Sequence, residues 1–393
     1  MILYFIIALF ALIILFFGYV RIKYKFWALQ PVFHYYDVYY WFNDIGVIDT
    51  EPPLKNKYYN SNILTKRMED VPTHLLEELL RLIQSNYILN KENRSNKFLP
   101  TVDTFTPYFT SHNSPCFCTT MSDVVLFQDA KTNKIINVDT IIGLITSRPL
   151  HIEIVKSNIL FDAYYVDYLC VDKKRRQQGI APQLIQTHEY NQRHATPTIK
   201  VSIFKREDEL TGIIPICAYD TYGFRTDTWS VVGTTPTMLK CDKQNLYHLL
   251  DFIKTNKTEF ELIIMPELSN LLELITTGNI IIYMMMDLAS VEIQSAYFFR
   301  KSCTYVAEKS EVLSCFASIN GLTTTPNEFI RGFKTAVCSH KEYTFVSMER
   351  ISHNGIIIEN LIKKTEAQIS KTAYFFYNFI YHTFESGKVI IIN

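Results

Sequence analysis

Net charge is the first thing this chain lacks: its 39 basic and 39 acidic side chains cancel over 393 residues. A nucleic-acid binder needs a basic face to neutralise phosphates, so that class of partner is excluded. A disulfide framework is missing too. The eight cysteines fall at no framework spacing and Cys170 sits inside an apolar run, so reduced thiols are expected. Metal-ligand spacing is equally absent. His188 and His194 are six apart, which places them on different faces of a helix, and His112, Cys116 and Cys118 have no fourth ligand nearby. Neither a metal nor a tightly bound cofactor is expected.

Charge is absent again from residues 1 to 20, MILYFIIALFALIILFFGYV. A helix of that length reaches about 30 Å, the hydrocarbon thickness of a bilayer. No basic residue precedes it and no small-x-small cleavage pattern stands before Phe26, so a transmembrane anchor is expected rather than a signal peptide. Arg21, Lys23 and Lys25 follow at once, which by the positive-inside rule puts everything after residue 20 in the cytosol and makes membrane lipid a partner. The sequons at Asn93 and Asn256 would then stay unmodified.

What is present is enough apolar material, 48% of the chain, for two packed domains or one large double one. Leu75, Leu76, Leu79, Leu80 and Ile83 recur at helical spacing behind Pro72 and Thr73. Short strands are expected at Asp123 to Gln128 and Thr140 to Thr146, with a polar turn at Lys131 to Lys134, and a further strand at Thr198 to Phe204. The second half repeats the alternation. Leu246 to Thr255, Glu267 to Thr276, Pro326 to Val337 and Ile356 to Lys363 are helical in pattern. Strands are expected at Ile280 to Met286, Ala296 to Arg300, Val312 to Ile319, Tyr343 to Met348 and Ala373 to Phe379. This order predicts an α/β fold, a mixed sheet opened beside a central strand.

That central strand carries the chemistry. Tyr164 to Val171 is a nearly continuous apolar and aromatic run, suited to a strand buried on both faces. After it come the cations Lys173 to Arg176, then Gln177, Gly179, Ile180 and Ala181. Gly179 lets the backbone turn tightly, and Pro182 suits a first helical turn, so the helix start offers free N–H groups to a pyrophosphate. A solvated basic loop is the plain alternative.

In this strand–turn–helix setting, Arg176-x-x-Gly179-x-Ala181 resembles the coenzyme A loop of the GNAT acyltransferase superfamily. The longer string of Tyr168-Leu169-Cys170-Val171, Lys173-Lys174, Arg176 and Ala181-Pro182 resembles the signature of protein N-myristoyltransferases. Two distant segments carry the same resemblance. Tyr24-Lys25-Phe26-Trp27 with Gln30-Pro31-Val32 is similar to the family's N-terminal segment over the acyl-coenzyme A. Tyr374 to Phe379 and Gly387 to Asn393 are similar to its last strands.

The resemblance implies two fused GNAT-like halves related by a pseudo-twofold, at residues 21–230 and 231–393, behind the anchor at 1–20. It implies transfer of a fatty acyl group from acyl-coenzyme A, the co-substrate, to the amine of an N-terminal glycine peptide. The donor would lie against Lys25, Phe26, Trp27, Tyr168, Leu169, Cys170, Val171, Arg176, Gln177, Gly179, Ile180 and Ala181. Backbone N–H groups of Tyr168 and Leu169 would form the oxyanion hole, the α-carboxylate of Asn393 would be the base, and Ser202 would match a family threonine near the amine. Departures fall on the peptide side. Lys363 to Lys371 has no glycine-rich segment, Glu366 is its nearest acid, Ala317 and Ser318 replace aromatics, and Asp172 replaces a histidine. A GNAT enzyme for another amine, or a non-catalytic membrane scaffold with this fold, are the alternatives.

Overall fold

The computed structural model describes residues 2–88, 96–128, 135–207, 212–230, 236–287, 292–306 and 310–393. One mixed sheet of fifteen strands carries most of the chain. From edge to edge its main path runs Val389–Ile391, Leu262–Met265, Ile135–Ile154, Ile159–Val171, Val201–Glu207 and Gln368–Tyr377. It continues through Cys217–Arg225, Phe345–Glu349, Ser310–Asn320, Ile293–Val306, Ile280–Met286 and Thr237–Lys240.

The path reads alike from both sides toward its centre. The antiparallel pair Ile135–Ile154 and Ile159–Val171 is followed by the helix Ile180–Ala195 and the parallel strand Val201–Glu207. The antiparallel pair Ile293–Val306 and Ser310–Asn320 is followed by the helix Pro326–Cys338 and the parallel strand Phe345–Glu349. Each set then lends a strand to the other. Cys217–Arg225 pairs with Phe345–Glu349, Gln368–Tyr377 pairs with Val201–Glu207, and the two lent strands pair at the centre. The exchange joins the two sets into one continuous sheet.

Local sequence accounts for the helices that flank the central strand. The helix Thr73–Asn86 buries Leu76, Leu79, Leu80 and Ile83, the spacing of one helical face. It packs with Leu144 and Cys170 of the sheet. On the signature helix Ile180–Ala195, Leu184 is fully buried against Ile142, Ile145 and Val171. A Cβ on Gly143 would lie 2.8 Å from Leu184 Cδ1, so the missing side chain at 143 is what lets strand and helix approach this closely.

Several strands exceed their sequence pattern. Phe117–Gln128 and Ile135–Ile154 extend well past the expected short strands, through Ser147, Arg148 and Pro149, because both neighbours supply ladder partners that outweigh local propensity. Ala296 to Arg300 likewise lies within the longer Ile293–Val306. The expected turn at Lys131 to Lys134 falls outside the described residues.

The expectation of a membrane anchor is corrected. Residues Ile2–Lys23 form an apolar helix whose side chains from Tyr4 to Tyr19 are exposed. Among the described residues no helix is long and apolar enough to cross a membrane. The single-pass assignment, with its cytosolic catalytic part and its lipid partner, is therefore withdrawn.

Candidate active site

The strand Ile159–Val171 pairs with Val201–Glu207 only from Ala163 to Val166, opposite Val201 to Phe204. Beyond Val166 the two diverge, and Asp167 to Val171 forms one lip of an opening whose other lip carries Lys205. At this point the ladder to Ile135–Ile154 also shifts register. Thr146 stands opposite Asp167 and Leu144 opposite Cys170, which leaves Tyr168 and Leu169 facing the single residue Ile145. Tyr168 adopts a left-handed backbone, φ 48°, a conformation that costs a side-chain-bearing residue about 1 kcal/mol or more and marks a held geometry. Leu169 is exposed in this bulge. Tyr168 N–H donates to Asp167 Oδ1 at 2.8 Å.

Past the strand, the turn has two left-handed residues, Gln177 (φ 64°) and Gly179 (φ 75°), the second leading into the signature helix. Alternating backbone of this kind turns successive N–H groups toward one side, the geometry of an anion nest at a helix start. Arg176 does not face that nest with its guanidinium. Its Nη2 donates to Asn86 O at 2.5 Å and its Nε to Val171 O at 3.3 Å. Arg176 thus clamps the turn to the end of the helix Thr73–Asn86, helped by Lys173 N–H to Asn86 Oδ1 at 2.9 Å. Arg175 pairs with Asp123, whereas Lys173 and Lys174 are exposed beside the nest. Cys170 is buried, and burial pushes its thiol up to about 12, which makes it inert packing.

The three similar segments meet. Gln30 Nε2 donates to Gln186 Oε1 of the signature helix at 3.3 Å, and Tyr377 Oη of the late strand donates to Gln30 Oε1 at 2.6 Å. Trp27 stacks on Phe204 with ring centres 6.0 Å apart, and Phe26 is buried against Tyr58. Lys25 is exposed.

The end of the sequence reaches the same sheet face as Lys205. Asn393 is buried, its main-chain oxygen and Oδ1 accepting from Arg300 Nη1 at 3.2 and 3.0 Å. Its Nδ2 donates to Tyr374 Oη at 3.3 Å. Arg300 Nη2 also donates to Glu349 Oε1 at 2.8 Å, which accepts from Lys205 Nζ at 3.0 Å, while Tyr219 Oη donates to Glu349 Oε2. Burial raises the Glu349 carboxyl, but Lys205 and Arg300 outweigh it and hold the group below its ordinary range. Burial lowers Lys205 and Glu349 more than reverses that.

Ser202 lies elsewhere. It pairs in register with Tyr164 and Tyr377, whereas Lys205 pairs with Tyr374, so the period-two alternation puts Ser202 on the opposite sheet face from Asn393. There it joins a buried network with Gln192 at 3.2 Å and Glu189 at 3.4 Å. The residue of this strand on the Asn393 face is Lys205. Asp167, Arg148, Lys205, Arg300 and Glu349 were not anticipated. Each is a charge set inside or at the end of an apolar strand, which is the signal that could have found them. Among the described residues no group of three or more His, Cys, Asp or Glu stands where it could hold a metal ion.

A parallel strand pair that parts at a bulge, with a nest at the following helix start, is the arrangement that the resemblance to GNAT acyltransferases leads one to expect. The comparisons narrow it. Residues 47–217 match the family described as Myristoyl-CoA:protein N-myristoyltransferase, N-terminal domain, and the chain resembles that family. No curated protein matches the sequence. Among solved structures, Saccharomyces cerevisiae N-myristoyltransferase with bound myristoyl-CoA aligns at TM-score 0.71 and 13% identity, over 92% of this chain and 94% of that one. A second structure of the yeast enzyme with bound myristoyl-CoA aligns at 0.72 and 13%, over 93% and 89%. A third, with myristoyl-CoA and inhibitors, aligns at 0.70 and 13%, over 92% and 91%. At that identity the likeness establishes the fold, and with the family match it supports an acyltransferase enzyme.

Proposed function

We propose that this chain transfers a fatty acyl group from acyl-coenzyme A to the amine of an N-terminal glycine, as an N-myristoyltransferase-like enzyme. The observation that carries the reading is the bulge at Tyr168, placed where the strand Ile159–Val171 leaves its parallel neighbour. A thioester laid in that opening meets backbone N–H groups of Tyr168 and Leu169, and one such donor is worth about 3 kcal/mol of barrier. The pyrophosphate lies at the nest of Gln177 to Ala181, with Lys173 and Lys174 beside it. Phe26 and Trp27 cover the donor from the N-terminal side.

In this reading the chain divides into two GNAT-like halves, 21–230 holding the donor and 231–393 completing the acceptor site. The α-carboxylate of Asn393 serves as a base for the amine, and Arg300 fixes its position. Arginine also lowers the basicity of any carboxylate it binds, a constraint that bears on which group removes the first proton.

Competition between acetyl- and myristoyl-coenzyme A for the purified chain tests the donor. Twelve further methylenes, if buried, are worth on the order of 10 kcal/mol. Myristoyl-coenzyme A is expected to displace the acetyl form completely at equal concentration. Equal competition would point instead to a short-chain GNAT acylating some other amine.

A further inference from the structure

Asp167 stands on the lip of the opening, its backbone oxygen held by Thr146 Oγ1 at 3.1 Å. The other carboxylates of this region are occupied: Glu349 by Lys205, Arg300 and Tyr219, and the Asn393 oxygen by Arg300. Asp167 differs. Its Oδ1 accepts the Tyr168 N–H, and among the described residues it takes part in no ion pair. The residue is half-buried. Burial raises its pKa, against the opposing pull of Arg148, Arg300 and Lys205. The other ionisable groups that face it are the phenols of Tyr87, Tyr108, Tyr165 and Tyr168. Arg148 is itself buried between the rings of Tyr108 and Tyr165, each centred 5.0 Å away.

We infer that Asp167 is a catalytic residue of the transfer proposed above: its carboxylate receives the acceptor's ammonium and takes the proton that must leave before nitrogen can attack. The inference rests on the acyl-transfer reading. The Tyr168 N–H that now holds Oδ1 is also a donor suited to the thioester oxygen. When that oxygen takes the N–H, the carboxylate is released at the place where the amine arrives.

The step balances without a further reagent. The ammonium gives one proton to Asp167, and the neutral nitrogen forms its bond to the thioester carbon. Collapse of the tetrahedral intermediate breaks the carbon–sulfur bond. The Asn393 carboxylate takes the nitrogen's second proton and passes it to the departing sulfur, and Asp167 returns its proton to solvent. Amide, coenzyme A thiol and one proton result. Asp167 is the better first acceptor because Asn393 is bound to Arg300, and a stronger base shares the proton more fully with an amine.

The test is Asp167→Asn in the full chain, since the amide oxygen still accepts the Tyr168 N–H while the charge is gone. With myristoyl-coenzyme A and a peptide bearing an N-terminal glycine, kcat/KM for the peptide is expected to fall by about 10²- to 10⁴-fold. Donor binding should stay unchanged and the acid limb of the pH profile should disappear. Asp167→Glu should restore part of the rate. If the wild-type chain turns over and Asp167→Asn keeps its kcat/KM and acid limb, the role of Asp167 is overturned while the acyl-transfer reading stands. If the wild-type chain binds the donor but acylates nothing, both fall.

Discussion

Replacing Glu349 with Gln should be the most damaging isosteric change outside the apolar core. The Glu349 side chain is 4% exposed and its Oε1 accepts from both Lys205 and Arg300, which are 13% and 19% exposed. Removing the charge leaves two enclosed cations facing each other across a neutral amide. Breaking a buried pair from one side costs about 3–5 kcal/mol. Arg300 keeps its contact with Asn393, so the lower part of that range, about 3 kcal/mol, is expected. With a urea m-value of about 3 kcal/mol/M the midpoint should fall by about 1 M at pH 7.5. The pH dependence has a definite sign. Glu349 is held below its ordinary pKa, so its contribution is complete above the unfolded value near 4.5. It is lost as pH falls through the folded one. The gap between wild type and Glu349→Gln should therefore close in acid. Adding Lys205→Met should recover part of the loss at pH 7.5. A single variant within about 0.5 kcal/mol of wild type, or a gap that widens in acid, would refute the reasoning.

Gly179→Val meets no atom within 4 Å but must adopt φ 75°, a strain of about 1–2 kcal/mol; donor affinity measured by calorimetry should fall about tenfold with the fold intact. Extending the chain by three residues beyond Asn393 should abolish peptide acylation and leave donor binding unchanged, read by mass spectrometry on the same sample. Burial lowers His188 to about 3 and His112 to about 4, so the unfolded chain takes up protons first as pH drops below about 6.5. Urea midpoints should fall steadily from pH 6.5 toward pH 4, and His188→Gln should flatten that slope by about 1.4 kcal/mol per pH unit.

The sheet was legible wherever a strand's own residues are apolar, as in Tyr164 to Val171 and Ile280 to Met286. It was illegible where pairing supplies what the residues do not. Cys217–Arg225 contains Asp220, Thr221 and Gly223, yet it stands near the centre of the sheet because Gln368–Tyr377 and Phe345–Glu349 flank it. The segment proposed for the donor was visible because a bulge, a nest and a helix start depend on contiguous residues. The charged cluster proposed for the acceptor joins Lys205, Arg300, Glu349 and Asn393, which lie on four separate strands or chain ends. Ser202, the match to a family threonine, lies on the sheet face opposite Lys205 and Asn393, because a strand's side chains alternate. The same contiguity misled at the N-terminus, where an uncharged run alone suggested a span.

One measurement bears most directly on the central claim: the intact mass of an N-terminal glycine peptide after incubation with the purified chain and myristoyl-coenzyme A. A single myristoyl addition on the α-amine, absent when the first residue is N-acetylated, is the predicted result. An unmodified peptide in the presence of chain that has bound the donor would contradict it.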